Sequence, residues 1–196
     1  MVSFKGAARR RSPDAIARAA AFIGVETAAL SAIIEVEASG AGFDGAGRPK
    51  ALFEPHRFYR ELSGNPGKLA AAVKAGLAYP KWGEKPYPSD SYPRIQQALA
   101  IDETAALRAT SWGLGQVLGS NCAKCGFTSP QAMLAAFADG EDAQIVGMAA
   151  FLKSNGLVPA LKARNWAAVA KGYNGSKYAA NRYDAKLAAA YARLRG

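Results

Sequence analysis

The sequence predicts a mainly α-helical domain of the α+β kind, carrying one small β-hairpin. Three observations lead there. Alanine dominates a hydrophobic half of the 196 residues, with few β-branched residues to favour strands. Apolar residues recur at helical spacing over most of the chain, and one glycine-rich window, residues 40–54, interrupts that pattern.

Residues 1–11 read as a loose basic tail ahead of a single domain spanning 12–196. Ser12-Pro13-Asp14 has the make-up of a helix start: a hydroxyl cap, proline at the first helical position and an acid in the first turn. Ile16, Ala19, Ala20 and Ile23 follow on one face, and Gly24 stops the run. A second helix begins near Thr27, with Leu30, Ile33 and Ile34 as its buried stripe and Glu37 close to its C-terminal end. Ser39-Gly40 then breaks it.

Glycines 40, 42, 45 and 47 with Pro49 make the next stretch helix-poor, and Ala51-Leu52-Phe53 supplies the apolar arm of the hairpin. Pro55 opens a short helix, and Asn65-Pro66 opens another reaching Leu77. Residues 78–93 form the longest irregular stretch, the kind of loop that carries function in compact domains. Helix is expected again over 94–109, 113–120, 130–138, 141–154, 166–172 and 183–194, with no internal repeat and no compositional break marking a second domain.

The formal net charge of +10 favours polyanionic partners: nucleic acid, an anionic membrane surface or the acidic bacterial envelope. No RNA-binding signature, zinc-finger spacing or recognition helix is present, so nucleic acid is not the expected partner. No segment has the apolar length to span a membrane. The basic N-terminus lacks the uninterrupted apolar core of a signal peptide, so synthesis in the cytoplasm is expected, and action on an envelope would need another agent to export or release the protein. Cys122 and Cys125 stand as CxxC without a second pair, and with one histidine in the chain they cannot build a local zinc site. They are expected to be small core or near-surface thiols, with a labile disulfide as the alternative.

Glycosidic bond cleavage needs a carboxyl that keeps its proton beside the leaving oxygen, usually with a second carboxylate nearby. Glu37 suits the first role. It closes an apolar helix, faces the negative end of the helix dipole, and precedes a glycine-rich segment that lets a substrate approach the backbone. Glu35 lies two residues earlier and so points from a different face. Two further segments pair aromatics and amides with glycines, as a saccharide subsite would: Ser111-Trp112-Gly113-Leu114-Gly115-Gln116-Val117-Leu118-Gly119 and Gly172-Tyr173-Asn174-Gly175. Helix packing or a plain turn would also explain either segment alone.

In that order, Glu37-Ala-Ser39-Gly40, Gly113-Leu-Gly-Gln116-Val and Gly172-Tyr173-Asn174-Gly175 resemble the cleft-lining blocks of the lysozyme-like superfamily. More closely, VEASGAGFDGAGRPKALFEPHRFYR with ATSWGLGQVLG resembles the N-acetylmuramidase family of phage endolysins, over nearly all the chain from Ser12. The resemblance implies a lysozyme-like fold with Glu37 as the catalytic acid and cleft-lining or substrate-binding roles for His56, Ser111, Trp112, Gln116, Tyr173 and Asn174. Glu54 is the expected second carboxylate and Asp44 the fallback; for His56, a structural hydrogen bond at the Pro55 helix start is the plainer role. Ala38, where a serine is common, and Gly115, where a bulkier residue is usual, are expected to widen the cleft.

The implied activity is hydrolysis of the β-1,4 bond between N-acetylmuramic acid and N-acetylglucosamine in peptidoglycan, by a monomer needing no metal or organic cofactor. Two rivals use the same residues differently. A lytic transglycosylase would employ Glu37 alone and leave anhydro products, and a non-catalytic module of a phage particle would bind glycan or nucleic acid without turnover. Because positive charge should hold the protein on anionic envelope polymers, activity is expected to fall as salt rises. Clearing of a peptidoglycan suspension across ionic strengths checks this; a flat profile would remove charge attraction from the account.

Overall fold

In the computed structural model, which describes residues 2–38, 41–175 and 178–196, helices surround a small three-stranded sheet. Helix α1 (Ala15–Ile23) turns off at Gly24, whose left-handed backbone (φ 71°) lets its N–H and that of Val25 close the last turn. Ser12 does not cap this helix by its side chain; its carbonyl accepts from Ala15 while its hydroxyl donates to Asp142. Helix α2 (Thr27–Ala38) buries Leu30, Ile33 and Ile34 on the expected stripe. The expected break at Ser39-Gly40 lies outside the described residues.

Residues 42–50 fold back on themselves through a Phe43–Pro49 bridge and then run into strand β1 (Ala51–Phe53). The partner of β1 comes from far along the chain: β2 (Thr110–Trp112), antiparallel, with Ala51 opposite Trp112 and Phe53 opposite Thr110. Strand β3 (Val117–Leu118) completes the sheet beside β2. Thus the expected hairpin is one side of a larger element, and the expected helix over 113–120 is instead a turn, a strand and a 3-10 turn (Gly119–Cys125). The apolar residues at 114, 117 and 118 satisfied helical spacing, but Gly113 (φ 68°) and Gln116 (φ 45°) take left-handed backbones that end one strand and start the next.

Between β1 and β2 run α3 (Pro55–Glu61), α4 (Pro66–Lys74), α5 (Tyr92–Ile101) and α6 (Glu103–Arg108). The single helix expected over 94–109 is broken at Asp102, where an extended backbone places the carboxylate to cap Ala105 N–H at 2.8 Å and to pair with Lys68. After the 3-10 turn come α7 (Pro130–Asp139), α8 (Glu141–Ser154), α9 (Val158–Lys162), α10 (Trp166–Asn174) and α11 (Tyr183–Arg195). The core runs from Ala15 to Tyr191, with α11 packed on α2 and α1 on α8. Cys122 and Cys125 are free and buried in it, and burial pushes the Cys125 thiol up to about 12. No single helix among the described residues is long and apolar enough to cross a membrane.

The basic N-terminal segment is not loose. Phe4 sits edge-on to Tyr92 at 4.9 Å, and Ala8 and Arg9 donate their N–H groups to the carbonyls of Ala138 and Asp139. Arg10 and Arg11 pair with Glu141, the first residue of α8 and 1 % exposed. One Glu141 oxygen also accepts from Gly42 N–H at 2.8 Å. One turn on, buried Gln144 accepts from Leu114 N–H (2.7 Å) and donates to Phe137 carbonyl (2.8 Å). A side chain at Gly113 would put its Cβ 2.7 Å from this amide.

The two bonds of Gln144 predict a measurable cost. Gln144→Ala strands a buried N–H and a buried carbonyl, and should destabilise the fold by about 2–4 kcal/mol. The urea midpoint checks this, and an unchanged midpoint would show that the turn at 113–116 holds itself.

Candidate active site

Glu37 stands one residue from the end of α2, where α11 packs on both α2 and α10. Desolvation raises its carboxyl from 4.5 to about 7, with the Asn174 amide and the Lys186 ammonium pulling the other way. Asn174, last in α10, donates Nδ2–H to Glu37 Oε1 at 3.0 Å. Its neighbour Tyr173 donates its hydroxyl to the Gly115 carbonyl at 2.6 Å and stacks edge-on against Phe151. The Gly172–Gly175 segment is therefore a clamp with one residue on the acid and one on the turn between β2 and β3. Tyr183 on α11 also lies within electrostatic reach of Glu37. Glu35 is tied instead to Arg193 and stays half-exposed.

Glu54 caps the start of α3 from the end of β1, with its N–H bound to the Ala109 carbonyl. Ser111 donates its hydroxyl to Glu54 Oε1 at 3.0 Å, and His56 Nε2 lies 3.6 Å from the other oxygen. Burial raises the Glu54 carboxyl, while Ser111 and Arg57 oppose the rise. His56 is 4 % exposed, and desolvation with Arg57 and Arg60 holds its imidazole down to about 4, so it is neutral at pH 7. Its Nδ1 finds no hydrogen-bond partner among the described residues, so no anchor to the start of α3 is made from that atom.

Several expected site residues serve the scaffold. Trp112 does not line a cleft: it is fully buried, donates its indole N–H to the Leu107 carbonyl and packs against Phe4 and Tyr92. Its inward direction follows from the β2 register. The Asp44 carboxylate closes its own loop, accepting from Ala46 N–H, Arg48 N–H and Arg48 Nε, and these bonds hold it below the usual carboxylate range. That employment argues against Asp44 as a reacting group. Gln116 is partly exposed and donates to the Gly113 carbonyl at 2.8 Å. Ser111 is buried and acts on Glu54. Gly115 does not widen a cleft, since a Cβ there would fall 2.9 Å from Met148; the site needs its smallness for packing. The Ala38 side chain lies outside the described ones.

Sequence reasoning overlooked Lys186, Tyr183, Glu141 and Gln144. The last two occupy the first and fourth positions of an apolar helix, where a buried acid and amide signal a polar anchor.

The raised Glu37 carboxyl has a stability consequence. Between pH 4.5 and about 7 the folded protein keeps a proton that the unfolded chain releases, so stability falls as pH rises through that window. Above it the ionised group costs about 3 kcal/mol at most. Glu37→Gln should therefore raise the melting temperature at pH 9 and change it little at pH 4. An equal shift at both pH values would mean the carboxyl ionises normally.

A search of curated proteins finds no match. Among solved structures, a Burkholderia AP3 phage endolysin superposes with a TM-score of 0.84 at 35 % identity, over 95 % of this chain and 72 % of that one. A family model described as N-acetylmuramidase matches residues 26–195, which contain Glu37, Glu54 and both glycine-flanked segments. The chain belongs to the N-acetylmuramidase family, and its fold and class are those of a peptidoglycan-cleaving glycoside hydrolase.

Proposed function

We propose that the protein hydrolyses the β-1,4 bond between N-acetylmuramic acid and N-acetylglucosamine, with Glu37 as the general acid. The observation that carries this reading is the Glu37 carboxyl itself, raised to about 7 by burial and held in one direction by Asn174. A carboxyl so placed is half protonated near neutral pH and can deliver its proton to the leaving oxygen. Asn174 donates to one oxygen, Oε1, and in this reading the other carries the proton to the substrate.

Glu54 takes the second role, orienting water or shielding the cationic ring. Ser111 fixes one of its oxygens, and its ionisation is set by a separate neighbourhood from that of Glu37. Tyr173 is a positioning residue that ties the Gly113–Gln116 turn to the clamp. No step calls for a metal or an organic cofactor. In this reading the protein is a monomer made in the cytoplasm, and its action on the wall after release is what the endolysin likeness supports.

Mass spectrometry of muropeptides released from purified peptidoglycan tests the assignment. Wild type should leave reducing muramic-acid ends, with activity declining as pH rises above about 7. Glu37→Gln should lose at least about a thousandfold in rate, and Glu54→Gln about ten- to a hundredfold. Anhydro ends with full activity in Glu54→Gln would move the reaction to the transglycosylases. No release by wild type would sink the enzymatic reading.

A further inference from the structure

Among the described residues, four buried side-chain polar atoms find no hydrogen-bond partner: His56 Nδ1, Tyr79 Oη, Tyr87 Oη and one terminal nitrogen of Arg94. They come from different parts of the chain, yet they share one neighbourhood. Tyr87 lies within electrostatic reach of Glu54, Tyr79, Arg57 and Arg94, and Tyr79 within reach of Arg94. His56 adjoins this group through Nε2, which lies 3.6 Å from Glu54, while its unpaired Nδ1 is on the other edge of the ring. His56 and Tyr79 are each 4 % exposed. The Lys85 backbone N–H faces the Tyr79 oxygen, which leaves the phenolic proton without an acceptor.

Buried polar atoms are paired as a rule, and a group of four unpaired ones beside an expected catalytic carboxylate marks a place built for something else to bind. The set is rich in donors: two phenolic hydroxyls and a guanidinium N–H, with a neutral imidazole beside them. Arg57 and Arg94 add positive charge, set against the carboxylates of Glu54, which faces Tyr87, and Glu84, which faces Tyr79. Such a set matches a planar anionic acceptor with several lone pairs, which is a carboxylate. Tyr79 and Tyr87 flank residues 80–86, which are exposed throughout and carry neither helix nor strand.

We propose that the cluster of Tyr79, Tyr87, Arg94 and His56 beside Glu54 is a subsite for a carboxylate on the peptide stem of the glycan substrate. The residues 80–86 segment moves aside to admit it. The proposal rests on the peptidoglycan reading above and deepens it: the enzyme would read the peptide as well as the sugar, and would prefer strands that still carry stems.

The test compares two substrates, glycan strands with their peptide stems and the same strands stripped of peptide by an amidase. Wild type should favour the peptide-bearing strands in kcat/KM. Tyr87→Phe and Arg94→Gln should each shrink that preference by about tenfold, chiefly through KM on the peptide-bearing strands. Tyr79→Phe, which removes a phenolic proton that has no acceptor, should shrink the same preference. A preference unchanged in all three variants overturns the proposal, as does a wild type indifferent to the stems. Failure of wild type to cleave either substrate would instead remove the hydrolase reading on which the subsite depends.

Discussion

The site depends on a buried polar anchor at the start of α8. Glu141 and Gln144 lie on one face, one helical turn apart, and between them hold three segments that share no secondary structure. Glu141 binds the backbone just after the Glu37 helix and the arginines of the N-terminal segment. Gln144 binds the turn between β2 and β3. A charge this deep is tolerated only when its lone pairs are filled, and Gly42 N–H, Arg11 N–H, Arg10 and Arg11 fill them. The glycine spacing in both loops follows from the anchor, because a Cβ at Gly42 or Gly113 would collide with the Gln144 amide.

From that anchor the chemistry is arranged in two halves. Helices α2, α10 and α11 create the dry surroundings of Glu37, and desolvation wins over the two favourable contacts that oppose it. The sheet and the start of α3 create those of Glu54, where Ser111 supplies the bond and burial again wins. Tyr173 spans the halves: its neighbour Asn174 holds Glu37, while its own hydroxyl holds Gly115 on the turn after β2.

What was legible in the sequence was local. The start at Asn65-Pro66 is readable because cap and first turn lie within four residues, and the Asn65 side chain accepts from Lys68 N–H as capping chemistry requires. Glu37, Tyr173 and Asn174 were legible as a resemblance, and the structure brings them together. Trp112 was misread because aromatic and glycine content suits a sugar platform as well as a strand edge; only pairing with Ala51, about sixty residues earlier, turns the indole inward. The N-terminal segment was misread because Arg9-Arg10-Arg11 looks solvated until the buried acid it neutralises, about 130 residues away, is in view.

The same contrast separates the roles of the carboxylates. Asp44 and Glu54 flank one loop-and-strand segment and look equivalent as text. Asp44 accepts two backbone N–H groups and a guanidinium, every bond favouring its ionised form, so it is a permanent anion spent on turn closure. Glu54 accepts one hydroxyl and loses most of its water, so its charge is left dear and available. Glu37, with one amide and a stronger desolvation, is carried furthest towards the protonated form. Graded hydrogen bonding against graded burial thus orders three similar side chains from a settled anion to a carboxyl raised to about 7, and this ordering, more than their spacing along the chain, separates the roles proposed for them.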